Sequence, residues 1–468
     1  MLILFQSTFQ DPQLDTHNLY ITDGTETVSL VDTNVYLLDY TPRTPSRSGG
    51  VWQDVTESAS VLFQADTSAA IQVSINEIER LLYQGEMRQI NPAQERVFVV
   101  QQLASESGTW RSEILSGRVE LDEDTWRHWN VRSVEAQIIW TRRYFWEGAE
   151  AEAALAVAAD AGGAGSTGGV TVYNCGSANW FDPDIIDGAI PAGVRLVIKP
   201  ISYQPRYNHY IGHSVGVDSS FDHHIEAEDG SGGTPLPTSG SPDTDLYSGG
   251  YYRRFPVTAT SLATSITFTV LADDLGYADG GYFDALIRTA NTPLAAGAIN
   301  MQARLIIEGV ELWRGPEVEN NGRCLQSLGV VQLPPSLANV GGPLALSLIV
   351  YARVASGTQN LDLDWLQFLP VAEYRKLTPV SALAGYLTDT WAVDDGLDDA
   401  LYISRGASYT TSKLPALIGL GGRVTITPGV ANRFYLLTDE QNHSPSSIPE
   451  TSIRNTVRMF YRPRRLTA

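Results

Sequence analysis

Ile225-Glu226-Ala227-Glu228-Asp229 and, far downstream, Leu361-Asp362-Leu363-Asp364-Trp365-Leu366-Gln367-Phe368-Leu369-Pro370 decide how this chain divides. In both stretches acidic and apolar residues alternate, and a period of two is the mark of a half-buried β-strand. Glu226 and Glu228 therefore share one face of one strand, and Asp362 and Asp364 one face of another. Taken as the first and last strands of a single all-β module, the two stretches pair and bring the carboxylates of Glu226, Glu228 and Asp364 together. Between them lies Ser248-Gly249-Gly250-Tyr251-Tyr252-Arg253.

A chain of 468 residues is too long for one ordinary core, and roughly three domains are expected. Recurring Val, Ile, Thr and Tyr, 41 Gly and 24 Pro, and few long helical patterns make the protein mainly β. The net charge of −21 argues against a general nucleic-acid binder and an anionic-membrane binder, since both rest on attraction between Lys/Arg and phosphate. Lysine occurs only at Lys199, Lys376 and Lys413, and arginine gathers at Arg454, Arg458, Arg462, Arg464 and Arg465. Arg458, Arg462 and Arg464 are assigned to a protein interface with the acidic surface of a neighbouring subunit, where the planar guanidinium fork favours Arg. A phosphate-binding tail is the competing reading, and the net acidity weighs against it. Cys175 and Cys324 cannot form a framework of bridges, so both are expected reduced. The start Met1-Leu2-Ile3-Leu4-Phe5-Gln6 lacks the features of a signal peptide, and no uncharged run approaches the ~18 residues of a spanning helix. Folding in a cytoplasm without membrane insertion is the expectation.

Along residues 1–147 the pattern is strands with one embedded helix. Asp23-Gly24 between Leu19-Tyr20-Ile21 and Val28-Ser29-Leu30-Val31 signals a hairpin. Ile71, Ile75, Ile78 and Leu82 align on one helical face, with Asp66 or Thr67 to cap the start and Gly85 to end it. Residues 148–169 are Ala-rich and then Gly/Ser-rich. The first half suits a short helix and the second a linker. Asp182-Pro183-Asp184 reads as part of a turn-rich loop. Residues 170–205 and 373–468 are each too short for a separate sandwich and are expected to fold together, with 206–372 inserted between them.

Glu-Ala-Glu, the Gly-Gly-Tyr turn and Asp-Trp-Leu make the insert similar to the carbohydrate-binding jelly-rolls. The flanking layout, with Asn174-Cys175-Gly176 opening the second domain and Thr425 to Leu437 and Tyr461-Arg462-Pro463-Arg464 closing it, resembles the distal tail proteins of long-tailed bacteriophages. That resemblance implies an N-terminal tail-tube-like β-barrel or sandwich with one α-helix, a C-terminal β-sandwich and an inserted β jelly-roll. It also implies a ring, usually a hexamer, joining the tail tube protein to the hub and tip proteins. The chain would assemble in the bacterial host cytoplasm, end in the virion, and carry a module that binds host surface glycan. The competing readings are a non-viral carbohydrate-binding protein and a glycan-degrading tail enzyme.

The jelly-roll resemblance implies a structural Ca2+ at Glu226, Glu228 and Asp364, because hard cations take carboxylate oxygens; a solvated polar strand face is the alternative. Sugar rings stack on aromatic faces, which singles out Tyr251, Tyr252, Tyr282 and Trp313. Trp365, between acidic positions, is expected inside the module. His223-His224 reads as a solvated loop, since adjacent strand histidines face opposite ways. Asp394, Asp395, Asp398 and Asp399 read as an acidic turn, and Gly419, Gly421 and Gly422 lack the Gly-Lys-Ser/Thr of a nucleotide cradle. No Ser/His/Asp or Cys/His signature and no assignable acid–base carboxylate pair is found, so no catalytic residue is assigned and the chain is read as a non-enzyme.

Overall fold

The structure is a computed structural model, and it describes residues 16–32, 34–103, 108–121, 132–157, 169–173, 179–200, 206–216, 224–237, 251–271, 282–289, 297–307, 309–320, 322, 324–332, 345–371, 374–380, 390–406, 408–440 and 454–467. It is mainly β and divides into two units. The first comprises Met1–Glu150, Asp187–Ile190 and Arg462–Ala468, and the second Ala151–Ile186 and Pro191–Tyr461.

In the first unit one antiparallel sheet runs in the order Thr27–Ser29, Thr16–Thr22, Phe98–Leu103, Thr109–Leu121, Ser133–Arg142, Val55–Gln64, Val35–Tyr40. The expected hairpin is present. Tyr20 faces Ser29 and Thr22 faces Thr27, while Asp23 Oδ1 accepts from the backbone N–H of Thr25 and Glu26 and Gly24 takes φ +92°. Among the described residues the two outer strands do not pair with each other, so the sheet stays open and the barrel alternative is not realised.

The single α-helix among the described residues, Ser68–Ile90, buries Ile71, Ile75, Ile78, Leu81 and Leu82 on the sheet, and Thr67 Oγ1 caps it by accepting from Ala70 N–H at 3.2 Å. Gly85 does not end it. A Cβ there would lie 2.9 Å from the Ile114 carbonyl oxygen, and one at Gly117 would lie 2.7 Å from Leu82, so both glycines serve the close approach of helix to strand. Under the sheet, Arg142 and Glu57 form a fully buried pair at 2.6 Å, and Tyr40 donates to Glu57 at 3.0 Å. Arg464–Arg465, assigned to the discontinuous sandwich, pairs with Trp146–Glu147 and returns the last described residues to this sheet.

The second unit contains two sandwiches. In the first, an eight-stranded sheet built around Ala192–Pro200, Arg454–Tyr461 and Thr390–Asp395 faces a six-stranded sheet of Leu155–Val157, Trp180–Pro183, Asn432–Glu440, Arg206–Val215, Arg375–Pro379 and Leu417–Gly421. Phe181, Leu196, Ile198, Ile211, Leu436 and Met459 fill the space between them. Each such side chain contributes about 1.5–3 kcal/mol on burial.

Three expectations change here. Arg206–Val215, assigned to the insert, pairs in register with Asn432–Glu440 and belongs to the interrupted sandwich. Ala151–Glu152 and Leu155–Val157, assigned to the linker, are short strands because Ala153 and Leu155 enter its core. Asp182 lies in a strand, where Arg433 grips it through two hydrogen bonds. Residues 158–168 and Asn174-Cys175-Gly176 lie outside the described residues.

The second sandwich lies between Arg206–Val215 and Arg375–Pro379 in sequence. A six-stranded sheet of Thr234–Pro237, Tyr251–Val257, Gln359–Pro370, Tyr282–Thr289 and Leu325–Gln332, with His224–Glu226 added beside Gln359–Pro370, packs on a five-stranded sheet built around Ala263–Leu271, Ala345–Val354, Ile299–Ile307 and Val310–Arg314. A separate apolar cluster, with Leu286, Leu325, Trp365 and Leu369 against Tyr210, Tyr435 and Leu437, binds the first of these sheets to the interrupted sandwich. Asn179 and Gln367 exchange amide hydrogen bonds across the same junction. Among the described residues no helix is long and apolar enough to cross a membrane.

Candidate functional site

The first and last strands of the inserted module pair as the alternation predicts, with His224 opposite Gln367, Ile225 opposite Leu366 and Glu226 opposite Trp365. The pleat of the last strand then slips by one residue. Arg288 faces Trp365 while Thr289 faces Leu363, so Leu361 and Leu363 point into the core, and after the slip Leu366 and Phe368 do. The slip leaves both aspartates buried, each with its own arginine. Asp362 takes a two-pronged contact from Arg254 at 2.7 Å, and Asp364 is fully buried with Arg288 Nη1 at 2.5 Å. It also turns Trp365 away from the module's own core into the junction with the interrupted sandwich.

Around Asp364 the structure gathers Arg288, Glu226, His224 and Glu228. His224 Nε2 and Glu226 Oε1 are 3.0 Å apart, and Ala227–Asp229 form a 3₁₀ turn held by Arg253, which donates to the carbonyls of Ala227, Glu228 and Gly230. Burial raises Asp364 to about 7, with Arg288 opposing and Glu226 adding to the rise. Burial likewise raises Glu228 to about 7, helped by the charges of Glu226, Asp364 and Asp229. Glu228 Oε2 is buried without a hydrogen-bond partner.

Calcium is a poor fit to this arrangement. Arg288 already supplies the positive charge beside Asp364, and among the described residues no three or more His, Cys, Asp or Glu side chains are gathered to hold a metal ion. His224 is not in a solvated loop: it sits in a strand with its side chain 3 % exposed. The sequence signal for Arg288 and Arg254 was available only as arginine inside apolar strands, which gives no partner.

The aromatic candidates do not converge. Tyr252 and Tyr282 lie on strands either side of Gln359–Pro370, near its Asp364 and Pro370 levels, which separates them by about 20 Å along the sheet. Tyr282 is exposed and Tyr252 half-buried beneath Arg254, while Trp313 belongs to the opposite sheet, packed on the core over Gly315. The side chain of Tyr251 lies outside the described residues.

The three interface arginines make ion pairs inside the chain. Arg458 grips Glu152 at 2.7 and 2.8 Å, Arg462 reaches Glu150 at 3.0 Å, and Arg464 reaches Glu147 at 2.6 Å. The acidic stretch 147–152 supplies partners that a neighbouring subunit was expected to bring. Arg462 also lines a cleft of about 400 Å³ in the first unit, together with Tyr20, Phe98, Arg111 and Glu150. The acidic turn is a hairpin tip whose carboxylates are met by arginines: Arg375 and Arg423 on Asp394, Arg195 on Asp395 and Asp398, and Arg423 on Asp399. Gly419 leaves room for Arg375, whose guanidinium a Cβ would strike at 2.3 Å.

No protein-family model matches the chain, and no curated protein matches it. Among solved structures it is similar to a chain of the phage p2 baseplate in its activated conformation with Sr, at 8 % identity and TM-score 0.27, covering 95 % of this chain and 97 % of that one. The corresponding structure with Ca gives 10 % identity and TM-score 0.25 over the same shares. An exo-β-1,3-galactanase from Phanerochaete chrysosporium with β-1,3-galactotriose gives 14 % identity and TM-score 0.20, covering 67 % of this chain and 82 % of that one. TM-scores of this size do not establish a common fold.

Proposed function

We propose that this chain is a structural protein of a phage tail tip, of distal-tail type. Copies of the first unit close a ring, hexameric, between the tail tube and the hub or tip proteins, and the inserted sandwich is a jelly-roll that engages host surface glycan. The protein acts by assembly and carries no catalytic role. The observation that carries this reading is the order of parts on one chain: an open antiparallel sheet with one packed helix, an interrupted sandwich, and a second sandwich inserted in it. That order matches the plan the tail-protein resemblance implies. The net charge of −21 adds to it, since a ring that DNA must traverse works best if it does not bind phosphate. Light scattering on the full-length chain over rising concentration, followed by negative-stain imaging, tests the proposal. Closed six-membered rings are expected, and a mass that stays at one chain throughout overturns self-assembly into a ring.

A further inference from the structure

One outer face of the inserted sandwich is packed on the interrupted sandwich, and the outward side chains of the other are half-buried among the described residues. The sheet that holds Trp365 is packed against Tyr210, Tyr435 and Leu437 of the interrupted sandwich. In the five-stranded sheet, Ile299, Met301, Ala303 and Leu305 and, on the neighbouring strand, Leu348, Val350 and Ala352 all point inward at 0 to 1 % exposure. Alternation then turns Asn300, Gln302, Arg304, Tyr351 and Arg353 outward. The register sets Gln302 opposite Tyr351 and Asn300 opposite Arg353, so these planar groups form one contiguous platform.

We propose that this outward face, centred on Tyr351, binds a neutral oligosaccharide, an assignment that rests on reading the inserted sandwich as a glycan-binding module. The first reason is geometric. The Arg304 guanidinium lies 4.2 Å from the Tyr351 ring centroid and its Nε donates to Gln302 at 3.1 Å, so the aromatic and polar groups are held in place before any ligand arrives. Arg353 and Asn300 are fixed in the same way by Glu317, at 2.6 and 2.9 Å.

The second reason is charge. Arg304 and Arg314 are paired with Glu311, and Arg353 with Glu317. With Glu319, which stands opposite Asn300 on the adjoining strand, three arginines meet three carboxylates, so the face offers many hydrogen-bond donors and acceptors and carries no net charge. Sugar hydroxyls meet that demand, and the C–H face of a sugar ring packs on a flat stack of tyrosine and guanidinium. An acidic glycan gains nothing from arginines already paired and is repelled by a chain of net charge −21.

The test uses the full-length chain in calorimetric titration with glucan, mannan and galactan oligosaccharides and with polygalacturonate. Binding to a neutral oligosaccharide is expected, weakened about tenfold or more in Tyr351→Ala and in Gln302→Ala, with Tyr282→Ala on the other sheet unchanged. Thermal melts report whether each variant is folded, and Gln302→Ala carries the test should Tyr351→Ala fail to fold. Binding that survives both substitutions and is lost in Tyr282→Ala overturns the location while leaving the glycan-binding module intact. Preference for polygalacturonate overturns the neutral ligand. No binding of any glycan overturns the module reading, and this assignment falls with it.

Discussion

Replacing Arg288 with methionine probes the charged cluster of the inserted sandwich. Asp364 is fully buried, and Arg288 is its closest cation at 2.5 Å. Asp364 stands at about 7 in the folded chain against an ordinary value of 3.8. The unfolded chain thus ionises this group first, and the folded chain keeps its proton longer. The stabilisation from the protonated form is complete below about pH 4 and is lost as pH rises through about 7. Above that point both states of the wild type are ionised, and the group no longer makes stability depend on pH.

Without Arg288 the opposing influence is gone, so the folded-state value climbs further. From about pH 7 to pH 8 the variant goes on losing roughly 1.4 kcal/mol per pH unit that the wild type does not lose. At about pH 5 the side chain is protonated in both proteins, and the deficit is that of one hydrogen bond, about 1 kcal/mol. At about pH 8 it reaches roughly 2–2.5 kcal/mol, the hydrogen bond plus one pH unit of proton linkage. Glu228, also raised to about 7, titrates in both proteins and largely cancels in the difference. Urea unfolding followed by tryptophan fluorescence at the three pH values measures this, and adding Asp364→Asn to Arg288→Met should restore most of the loss at the highest pH. A deficit equal at all three, or one that Asp364→Asn leaves untouched, refutes the reasoning.

Ending the chain after Tyr461 removes the strand Arg464–Arg465 and strips Glu147, only 5 % exposed, of its closest cation. The first unit should lose roughly 2–4 kcal/mol, read as a lower first transition in calorimetry; an unchanged transition contradicts the assignment of this segment to that unit. Calcium added to the full-length chain should move its melting temperature by no more than about 1 °C, because Arg288 already offsets Asp364. A rise that saturates at one ion per chain and vanishes in Glu228→Ala would return the cation to the site.

Much of the local structure was legible because it is set by short-range rules. Ile71, Ile75, Ile78 and Leu82 place a helix wherever the chain runs, and Asp23-Gly24 turns a hairpin through hydrogen bonds to its own backbone. The pairing of His224–Glu226 with Gln359–Pro370 was also readable, since two strands of matched alternation bury one face only when set side by side. Gly85 was misread for a reason the one-dimensional pattern hides. A glycine at a helix end and a glycine beneath a crossing strand look alike until the strand is in place. Likewise, Arg206–Val215 reads as a strand in either sandwich, and only its register with Asn432–Glu440 assigns it.

The candidate site shows the same division. The sequence by itself determined that the chain is mainly β, that acidic residues outnumber basic ones, and that Glu226 and Asp364 come from strands meant to meet, whereas Glu228, expected on the same strand face as Glu226, lies in the 3₁₀ turn that follows; period and composition are properties of neighbours along the chain. It could not say what neutralises those carboxylates, since Arg288 reaches Asp364, Arg433 reaches Asp182 and Arg464 reaches Glu147 from far along the chain. One slipped residue between Leu363 and Trp365 decided which way the tryptophan faced. Tertiary structure alone settled such matters, because the strength of a charge depends on what is packed within a few ångströms of it, and in an antiparallel sheet those neighbours are chosen by register and not by sequence distance.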